Sequence, residues 1–240
     1  MQKYIAVVNP RMDEDEISKL IAQGIAGALF EISHQNYPMA AKLISLIKKL
    51  AKKYNRPISI LQDVSSMEDP LDLEFGMKSG ADWIVTDQDK HLKMAKGLNK
   101  LAQVIYKGRN LPKGIRVDSV MADSFLDPDA VVLNRKKGQI KHLISEHKDQ
   151  KVLDSILDIS HHAGTSAIAV SDFDLAKALS FRRPSRRIIF IPGNDTLASQ
   201  AAIFWGVHPV FGKKTFATER KGQRVVDATD MKHVRIHLVP

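Results

Sequence analysis

The 240-residue sequence has no cysteine, few aromatic residues (6%) and no long uninterrupted run of apolar residues. The absence of cysteine excludes the disulfide framework that stabilises small secreted domains. No segment approaches the roughly 18 uncharged apolar residues that a membrane-spanning helix needs. The N-terminal stretch MQKYIAVVNP predicts a buried strand, because it lacks the longer apolar run and the small-residue cleavage site of a signal peptide. We therefore expect a cytoplasmic protein that is not inserted in a membrane.

Familiar catalytic motifs are absent as well. The sequence has no G-x-x-x-x-G-K-[ST] phosphate-binding loop, no G-x-S-x-G nucleophile elbow and no glycine fingerprint of a dinucleotide site. His161 and His162 are adjacent on a predicted helix and point about 100° apart, so they cannot bind zinc as an i, i+4 pair. His142 and His147 do not have that spacing either. No single motif therefore assigns a function.

The composition indicates a globular protein with a substantial core and a basic surface. Hydrophobic residues make up 44% of the chain, and its length suffices for one large domain or two small ones. The net charge of +9 arises from 36 lysines and arginines against 27 acidic residues, and such a surface attracts nucleic acid, anionic membrane or phosphorylated metabolites. Many of the basic residues follow apolar helical stripes, as do Lys48, Lys49, Lys52 and Lys53. These lysines indicate an ordinary solvated helix face.

The first part of the chain repeats the order strand then helix, which is typical of a parallel sheet covered by helices. The predicted strands are Tyr4–Val8, Ala28–Ile32, Ile58–Leu61, Trp83–Val85, Ala102–Tyr106 and Ala130–Leu133. Asp13 is predicted to cap the first helix between these strands, and Gly24 to end it. Gly80 is predicted to end a later helix. A further helix is predicted over Val117–Phe125.

The second part follows a helical segment, Gln139–His162, that we expect to join two domains spanning residues 1–147 and 148–240. Its predicted strands are Ala167–Val170, Ile188–Ile191, Val207–Val210 and Val234–Val239, with helices at Phe173–Leu179 and Thr196–Trp205. The basic and polar stretch Gly212–Gln223 is typical of a loop.

Several segments in order along the chain carry a family resemblance. The C-terminal part has an Arg/Pro-flanked strand, a capped helix and WGVHPVF within Ser180–Phe211, and the chain ends in MKHVRIHLVP. The earlier segments are GIAGALFEISHQ, RPISILQD, DLEFGMKSGADWIV and AQVIYKGRN. Together these segments resemble the pyruvate kinase family, whose second-strand motif has the form G-M-N-V-A-R-L-N-F-S-H-G. The resemblance covers most of the chain.

The resemblance implies an eight-stranded barrel, a small inserted β domain and a C-terminal α/β domain, but this chain is about half the usual length. SSMEDP at Ser65–Pro70 leaves no room for the insertion, and about six barrel strands are predicted instead of eight. The segment Asp127–Gly138 could correspond to the sixth or the eighth family strand. We expect an α/β fold with an incomplete or reduced TIM-type (β/α) barrel, followed by a pyruvate-kinase-like C-terminal α/β domain.

An incomplete barrel exposes sheet edges unless they are covered or paired between subunits. We therefore expect a homo-oligomer. A full-length pyruvate kinase is a second candidate partner that the resemblance suggests.

The residues that the family uses for chemistry are largely replaced. The resemblance implies phosphoryl transfer between phosphoenolpyruvate and ADP, with magnesium and potassium as cofactors. Leu29 stands where the family's arginine contacts the phosphoryl group, and Glu31 replaces a potassium-binding asparagine. Ser33 and Asp63 retain two other oxygen ligands of that site, which makes them a remnant potassium site.

Lys107 aligns with the family's catalytic lysine, and its alternative interpretation is a solvated lysine at a strand end. Arg109 replaces a metal-binding glutamate, and a lysine within Arg135–Lys137 replaces a metal-binding aspartate. Divalent cations need oxygen ligands, so these replacements argue against a magnesium site. If Lys107, Arg109, Arg135, Lys136 and Lys137 converge at the barrel mouth, they form a metal-free pocket for an anion such as a phosphorylated small molecule.

The family's phosphate-binding loop in the C-terminal domain is replaced by SDFDLAK at Ser171–Lys177. Acidic side chains disfavour a phosphate at this position, and Asp172 or Asp174 is better interpreted as a helix N-cap.

The sequence thus predicts a pyruvate-kinase-like protein without pyruvate kinase activity that binds ligands, scaffolds or regulates. One alternative is an active phosphotransferase with a reduced site centred on Lys107. A second alternative is a basic nucleic-acid-binding protein, which ranks last because the basic residues are not interleaved with exposed aromatics.

Overall fold

Two β-sheets with helices between and around them make up the structure, a computed structural model. It describes residues 4–33, 36–67, 69–99, 103–106, 119–120, 150–182, 184–211, 223–230 and 234–238. The α/β class expected from the alternation of strands and helices is confirmed.

The first sheet has six strands that are all parallel and lie side by side in chain order. They are β1 (Tyr4–Val7), β2 (Ile25–Glu31), β3 (Ser59–Asp63), β4 (Trp83–Thr86), β5 (Val104–Tyr106) and β6 (Ser119–Val120). The helices that follow the first four strands are α1 (Glu14–Ala22), α2 (Tyr37–Lys53), α3 (Pro70–Ser79) and α4 (Asp89–Leu98). β1 and β6 are the two ends of this sheet, and within the described residues it does not close into a barrel.

Local sequence signals explain where these helices begin and end. The Asp13 side chain accepts a hydrogen bond from the Glu16 amide (2.9 Å), and the Glu16 carboxylate accepts one from the Asp13 amide (3.0 Å). This reciprocal capping box satisfies two amides that the helix itself cannot use. Helix α3 ends at Gly80, whose φ of 101° lies in the left-handed region that favours glycine.

The second sheet has five strands in the order β11-β10-β7-β8-β9, and only β11 runs antiparallel to its neighbour. The strands are β7 (Ala167–Val170), β8 (Arg187–Phe190), β9 (Val207–Pro209), β10 (Arg224–Ala228) and β11 (Arg235–Leu238). The described helices of this part are α5 (Gln150–His162), α6 (Phe173–Arg182) and α7 (Asp195–Ala201). The side chain of Asn194 caps α7 by accepting a hydrogen bond from the Leu197 amide (2.9 Å).

The two faces of the first sheet are buried against different parts of the chain. On one face, Ala28, Phe30 and Ile60 pack with apolar residues of α1 and α2. On the other, alternate strand residues belong to a core cluster that includes Ile203 and Phe204, just after α7. The residues that the first sheet contributes to this shared cluster are Leu29, Leu61, Trp83, Val85 and Ile105. The second part of the chain therefore covers the face that a barrel would enclose.

The predicted strands are largely confirmed in the part of the chain that the structure describes. β7 has the predicted bounds, and the other predicted strands that fall on described residues are confirmed with shifted ends. The helix predicted over Val117–Phe125 is wrong at Ser119–Val120, because these residues form β6. Strand β10 was not predicted, and the predicted strand Ala130–Leu133 lies outside the described residues. None of the described helices is long and apolar enough to cross a membrane.

Candidate functional site

A cleft with a volume of about 940 Å³ lies at the carboxyl ends of β1, β2 and β3. We call it the β1–β3 cleft, and its lining residues are Val7, Val8, Asn9, Pro10, Glu31, Ile32, Ser33, Asn36, Asp63, Ser66, Met67, Asp69, Pro70 and Asp72. The carboxyl ends of parallel strands meet at one edge of a sheet, which is where folds of this class place their ligand sites.

The lining of the β1–β3 cleft is acidic. It contains the four carboxylates of Glu31, Asp63, Asp69 and Asp72, and none of the described lining residues is lysine, arginine or histidine. Hydroxyl and amide groups of serine and asparagine supply further polar atoms, and valine, isoleucine and methionine side chains supply apolar surface. The described part of the lining therefore carries acidic side chains together with apolar surface.

Asp72 is held in place by hydrogen bonds from two other elements. The residue is only 5% exposed, and one carboxylate oxygen, Oδ1, accepts a 2.7 Å hydrogen bond from the Tyr37 hydroxyl. The Asp72 main-chain oxygen accepts a 2.8 Å hydrogen bond from the buried amide of Gln62. The Tyr37 ring stacks on Phe75 with centroids 3.9 Å apart, which fixes the hydroxyl in place. Burial, with a smaller contribution from Asp72, raises the pKa of Tyr37 to about 12.

The second oxygen of Asp72 accepts no hydrogen bond from any described residue. It is not among the side-chain oxygens that are both buried and without a partner, and Asp72 lines the cleft. We conclude that Oδ2 faces the space of the cleft.

The two residues of the predicted potassium remnant both line the β1–β3 cleft. Asp63 is the register partner of Glu31, and its Oδ1 accepts a 3.0 Å hydrogen bond from the Ser65 amide. The Ser33 amide donates to the Asn36 side chain (3.0 Å), whose Nδ2 donates to the Glu31 main-chain oxygen (3.3 Å). Among the described residues, no three acidic or histidine side chains are grouped in a way that could hold a metal ion.

Leu29 lies next to the cleft but belongs to the core. It is 5% exposed and packs in the cluster that β2 shares with the residues after α7. A methyl group at the neighbouring inward position, Gly27, would lie 3.2 Å from Ile203. The position that the resemblance assigns to a phosphoryl-binding arginine is therefore filled with apolar side chains in a covered interface.

The predicted catalytic lysine and anion-binding residues, Lys107, Arg109, Arg135, Lys136 and Lys137, lie outside the described residues. The residue before Lys107 is Tyr106, whose hydroxyl donates a 2.9 Å hydrogen bond to Asp89. Burial, together with Asp89, raises the pKa of Tyr106 to about 12. Basic and acidic residues are equal in number within the described ranges, so the excess of positive charge falls on the rest of the sequence.

A separate polar network lies at the carboxyl end of β4. The Gln88 amide donates to the Thr86 hydroxyl (3.1 Å), and the Gln88 side chain donates to the Ser65 main-chain oxygen. His91 is buried, its Nδ1 lies 3.5 Å from the Thr86 hydroxyl, and burial lowers its pKa. These contacts tie the loops after β3 and β4 together, so we assign this network a structural role.

In Ser171–Lys177, the segment that replaces the family's phosphate loop, side chains hydrogen-bond to main-chain groups of the protein. Asp172 accepts a 2.7 Å hydrogen bond from the Leu175 amide, which confirms it as the N-cap of α6. The Ser171 hydroxyl donates to the Thr229 main-chain oxygen (2.6 Å) at the end of β10. The Asp172 carboxylate thus accepts the hydrogen bond of an amide at the start of α6 that could otherwise bind a phosphate.

Sequence reasoning missed Asn9, Asn36, Asp69 and Asp72 as members of a site. Asp69 and Asp72 flank the start of α3, where acidic residues are ordinary helix-start signals. The partner of Asp72 is 35 residues away in the sequence, so no local pattern links it to Tyr37. A scan against protein-family models gave no match, and a search of curated proteins found none either.

Proposed function

We propose that this chain is a pyruvate-kinase-like protein without pyruvate kinase activity, which acts as a ligand-binding, scaffolding or regulatory pseudoenzyme through the β1–β3 cleft. In this proposal the first sheet is a reduced TIM-type barrel and the second sheet belongs to a pyruvate-kinase-like C-terminal α/β domain. The protein acts in the cytoplasm as a homo-oligomer.

The observation that carries the proposal is the charge of the cleft. Phosphoryl transfer depends on metal ions and positive side chains placed around developing negative charge. The described lining of the cleft has four carboxylates and no positive side chain, and Leu29 lies buried beside it where an arginine would be required. This arrangement repels a phosphate ester.

The size and composition of the cleft support binding of a small molecule. Ligand sites in proteins commonly have volumes of about 300–1,000 Å³ and combine apolar walls with a few placed polar groups. The cleft has about 940 Å³, with Asp72 held rigidly at one side by Tyr37. The volume of the cleft therefore lies in the range of known ligand sites.

The order of the strands supports the proposed ancestry of the fold. Six parallel strands in chain order, with α1 to α4 following the first four of them, are what consecutive βα units produce. The burial of the opposite face against residues near α7 replaces the closure of a full barrel, so a shortened chain can still bury its sheet.

A coupled assay for pyruvate formation tests the proposal. The full chain is supplied with phosphoenolpyruvate, ADP, magnesium and potassium, with an active pyruvate kinase as the positive control. We expect no turnover above the rate without protein. Turnover that is abolished by Lys107→Ala and retained by the exposed-site control Lys53→Ala would show an active phosphotransferase and overturn the proposal.

A further inference from the structure

We propose that Ser185 is a phosphorylation site for a serine kinase that recognises basic residues on both sides of its target. Ser185 lies in the short connection between α6 and β8, within the sequence RRPSRR at residues 182–187. None of the described residues of this connection lines the β1–β3 cleft, so the inference goes beyond the proposed function. It combines an accessible hydroxyl, the charge around it and a buried donor beside it.

The Ser185 hydroxyl is accessible to an enzyme. Ser185 is exposed, and its side chain makes no hydrogen bond with any described residue. Helix α6 ends at Arg182, shortly before Pro184, because the ring of a proline disfavours helical backbone in the residue that precedes it. Strand β8 then begins at Arg187. Ser185 therefore lies in a surface turn, the kind of segment that other proteins reach most easily.

The sequence around Ser185 is strongly basic. Residues 182–187 include four arginines and no acidic residue. Arg182 and Arg187 are exposed on the two sides of the turn, and the arginine at position 183 lies outside the described residues. Kinases select their substrates partly by charge pattern, and a guanidinium group pairs well with carboxylates of the enzyme. The two basic flanks therefore fit a serine kinase that is directed by arginine.

Arg186 offers a hydrogen-bond donor to the modified side chain. The residue is half-buried, and its Nε is buried without a hydrogen-bond partner among the described residues. A buried donor without an acceptor costs free energy, and a phosphoserine on the adjacent residue brings three strong acceptor oxygens. Guanidinium and phosphate groups form short, charge-assisted hydrogen bonds. Arg186 should therefore stabilise the phosphorylated form of Ser185.

Arg182 already has a partner with which the phosphate would compete. Its Nη2 lies 3.4 Å from Oδ1 of Asp154 on α5, and both side chains are exposed. Exposed ion pairs of this kind contribute little to stability, whereas a phosphate carries about two negative charges. We expect phosphorylation of Ser185 to draw Arg182 away from Asp154. The modification would thus loosen a link between α5 and α6 and neutralise part of the basic surface.

The reaction transfers the γ-phosphoryl group of ATP to the oxygen of Ser185. The new bond between this oxygen and phosphorus forms as the bond from the phosphorus to the bridging oxygen of ADP breaks. The hydroxyl proton passes to a base of the kinase, and ADP leaves. A protein kinase and ATP are the co-reactants.

Incubation of the full chain with the catalytic subunit of cyclic-AMP-dependent protein kinase and radiolabelled ATP tests the proposal. We expect incorporation of about one phosphate per chain, at Ser185 in the mass spectrum of proteolytic peptides, and its loss in Ser185→Ala. A stoichiometry near one shows that folded molecules are modified, rather than an unfolded minority. Ser45→Ala is the matched control, because Ser45 is exposed on α2 and has no arginine beside it. It should incorporate as much phosphate as the unaltered protein.

Two charge variants test recognition of the arginines. Arg182→Gln should slow incorporation by about tenfold or more, because it removes a charge that the kinase binds. Lys49→Gln removes the same charge from an exposed position on α2 and should leave the rate unchanged. The proposal is overturned by no incorporation, by incorporation that persists in Ser185→Ala, or by equal slowing in the two charge variants.

Discussion

The indole nitrogen of Trp83 on β4 donates a 3.0 Å hydrogen bond to the main-chain oxygen of Gln200 on α7, 117 residues further along the chain. The Ser59 hydroxyl on β3 donates to the preceding carbonyl of the same helix, that of Ser199. The Ser199 carbonyl also accepts a 3.1 Å hydrogen bond from the Ala202 amide. Side chains of the first sheet therefore bind the end of α7, and the two parts of the chain share polar contacts as well as a core.

Trp83→Phe should destabilise the protein by about 1–3 kcal/mol, because it removes the indole hydrogen bond and leaves the partly buried Gln200 carbonyl without this donor. The phenyl ring keeps much of the contact with Phe204, whose ring lies edge-on to Trp83 at 5.7 Å. Urea unfolding followed by far-UV circular dichroism gives the free energy of unfolding.

Gln200→Ala is the matched control, since the acceptor of the indole is a main-chain atom that this variant retains. It removes only a long 3.5 Å hydrogen bond to the Asp82 carbonyl and should cost about 0.5 kcal/mol or less. Equal losses of stability in the two variants would show that the indole hydrogen bond is not the stabilising contact.

Gly76→Ala should destabilise the protein by about 1–3 kcal/mol through overpacking. A Cβ atom at Gly76 would overlap the side-chain amide of Gln62, which is fully buried and fixed by its hydrogen bond to the Asp72 main-chain oxygen. Either Gln62 or α3 must then move, and thermal unfolding should show a lower midpoint.

The control for helix propensity is Gly97→Ala on α4, where an added Cβ atom meets nothing within 4 Å. Replacing glycine by alanine in an open helical position should stabilise the protein by up to about 1 kcal/mol. If Gly76→Ala also raised the midpoint, the close contact with Gln62 would not constrain this position.

Asp82 should make the stability of the protein depend on pH. Burial raises the pKa of its carboxyl to about 7, although Lys48 and the 2.8 Å hydrogen bond from the Ile60 amide both oppose this shift. The folded state then holds the proton more tightly than the unfolded state, so this group lowers stability as the pH rises from about 4 to about 7.

Asp82→Asn removes that dependence while keeping an oxygen acceptor for the Ile60 amide. The variant should gain stability relative to the unaltered protein as the pH rises through this range. The gain is about 1.4 kcal/mol for each unit by which the pKa of Asp82 differs between the folded and unfolded states, and it levels off above about pH 7. Urea titrations at pH 4.5, 6 and 8 measure the difference. A difference that stays constant with pH would contradict the raised pKa.

The sequence was sufficient to predict the strands whose apolar runs are bounded by polar residues or glycine. Ala167–Val170 is such a run, and it forms β7 with the predicted bounds. Strand β10 was missed because RVVDA has only two consecutive large apolar residues after a basic stretch. Its pairing with β7 and β11 comes from tertiary contacts that no local pattern encodes.

The residues of the β1–β3 cleft also divide into those that the sequence predicted and those that only tertiary contacts reveal. Ser33 and Asp63 were named from the family resemblance, and they do line the cleft. Asp72 was not found, because its role depends on Tyr37, Gln62 and the open side of its carboxylate, which only the folded arrangement brings together. Leu29 was identified as a lost arginine, but its burial against residues beyond α7 is a property of the packing of the whole chain.

The central claim is that the chain lacks pyruvate kinase activity and that the acidic β1–β3 cleft is a ligand site without phosphoryl chemistry. The most direct test is the coupled assay for pyruvate formation with phosphoenolpyruvate, ADP, magnesium and potassium. We predict a rate equal to the rate without protein. A rate that rises in proportion to the protein concentration and is lost in Lys107→Ala would contradict the claim.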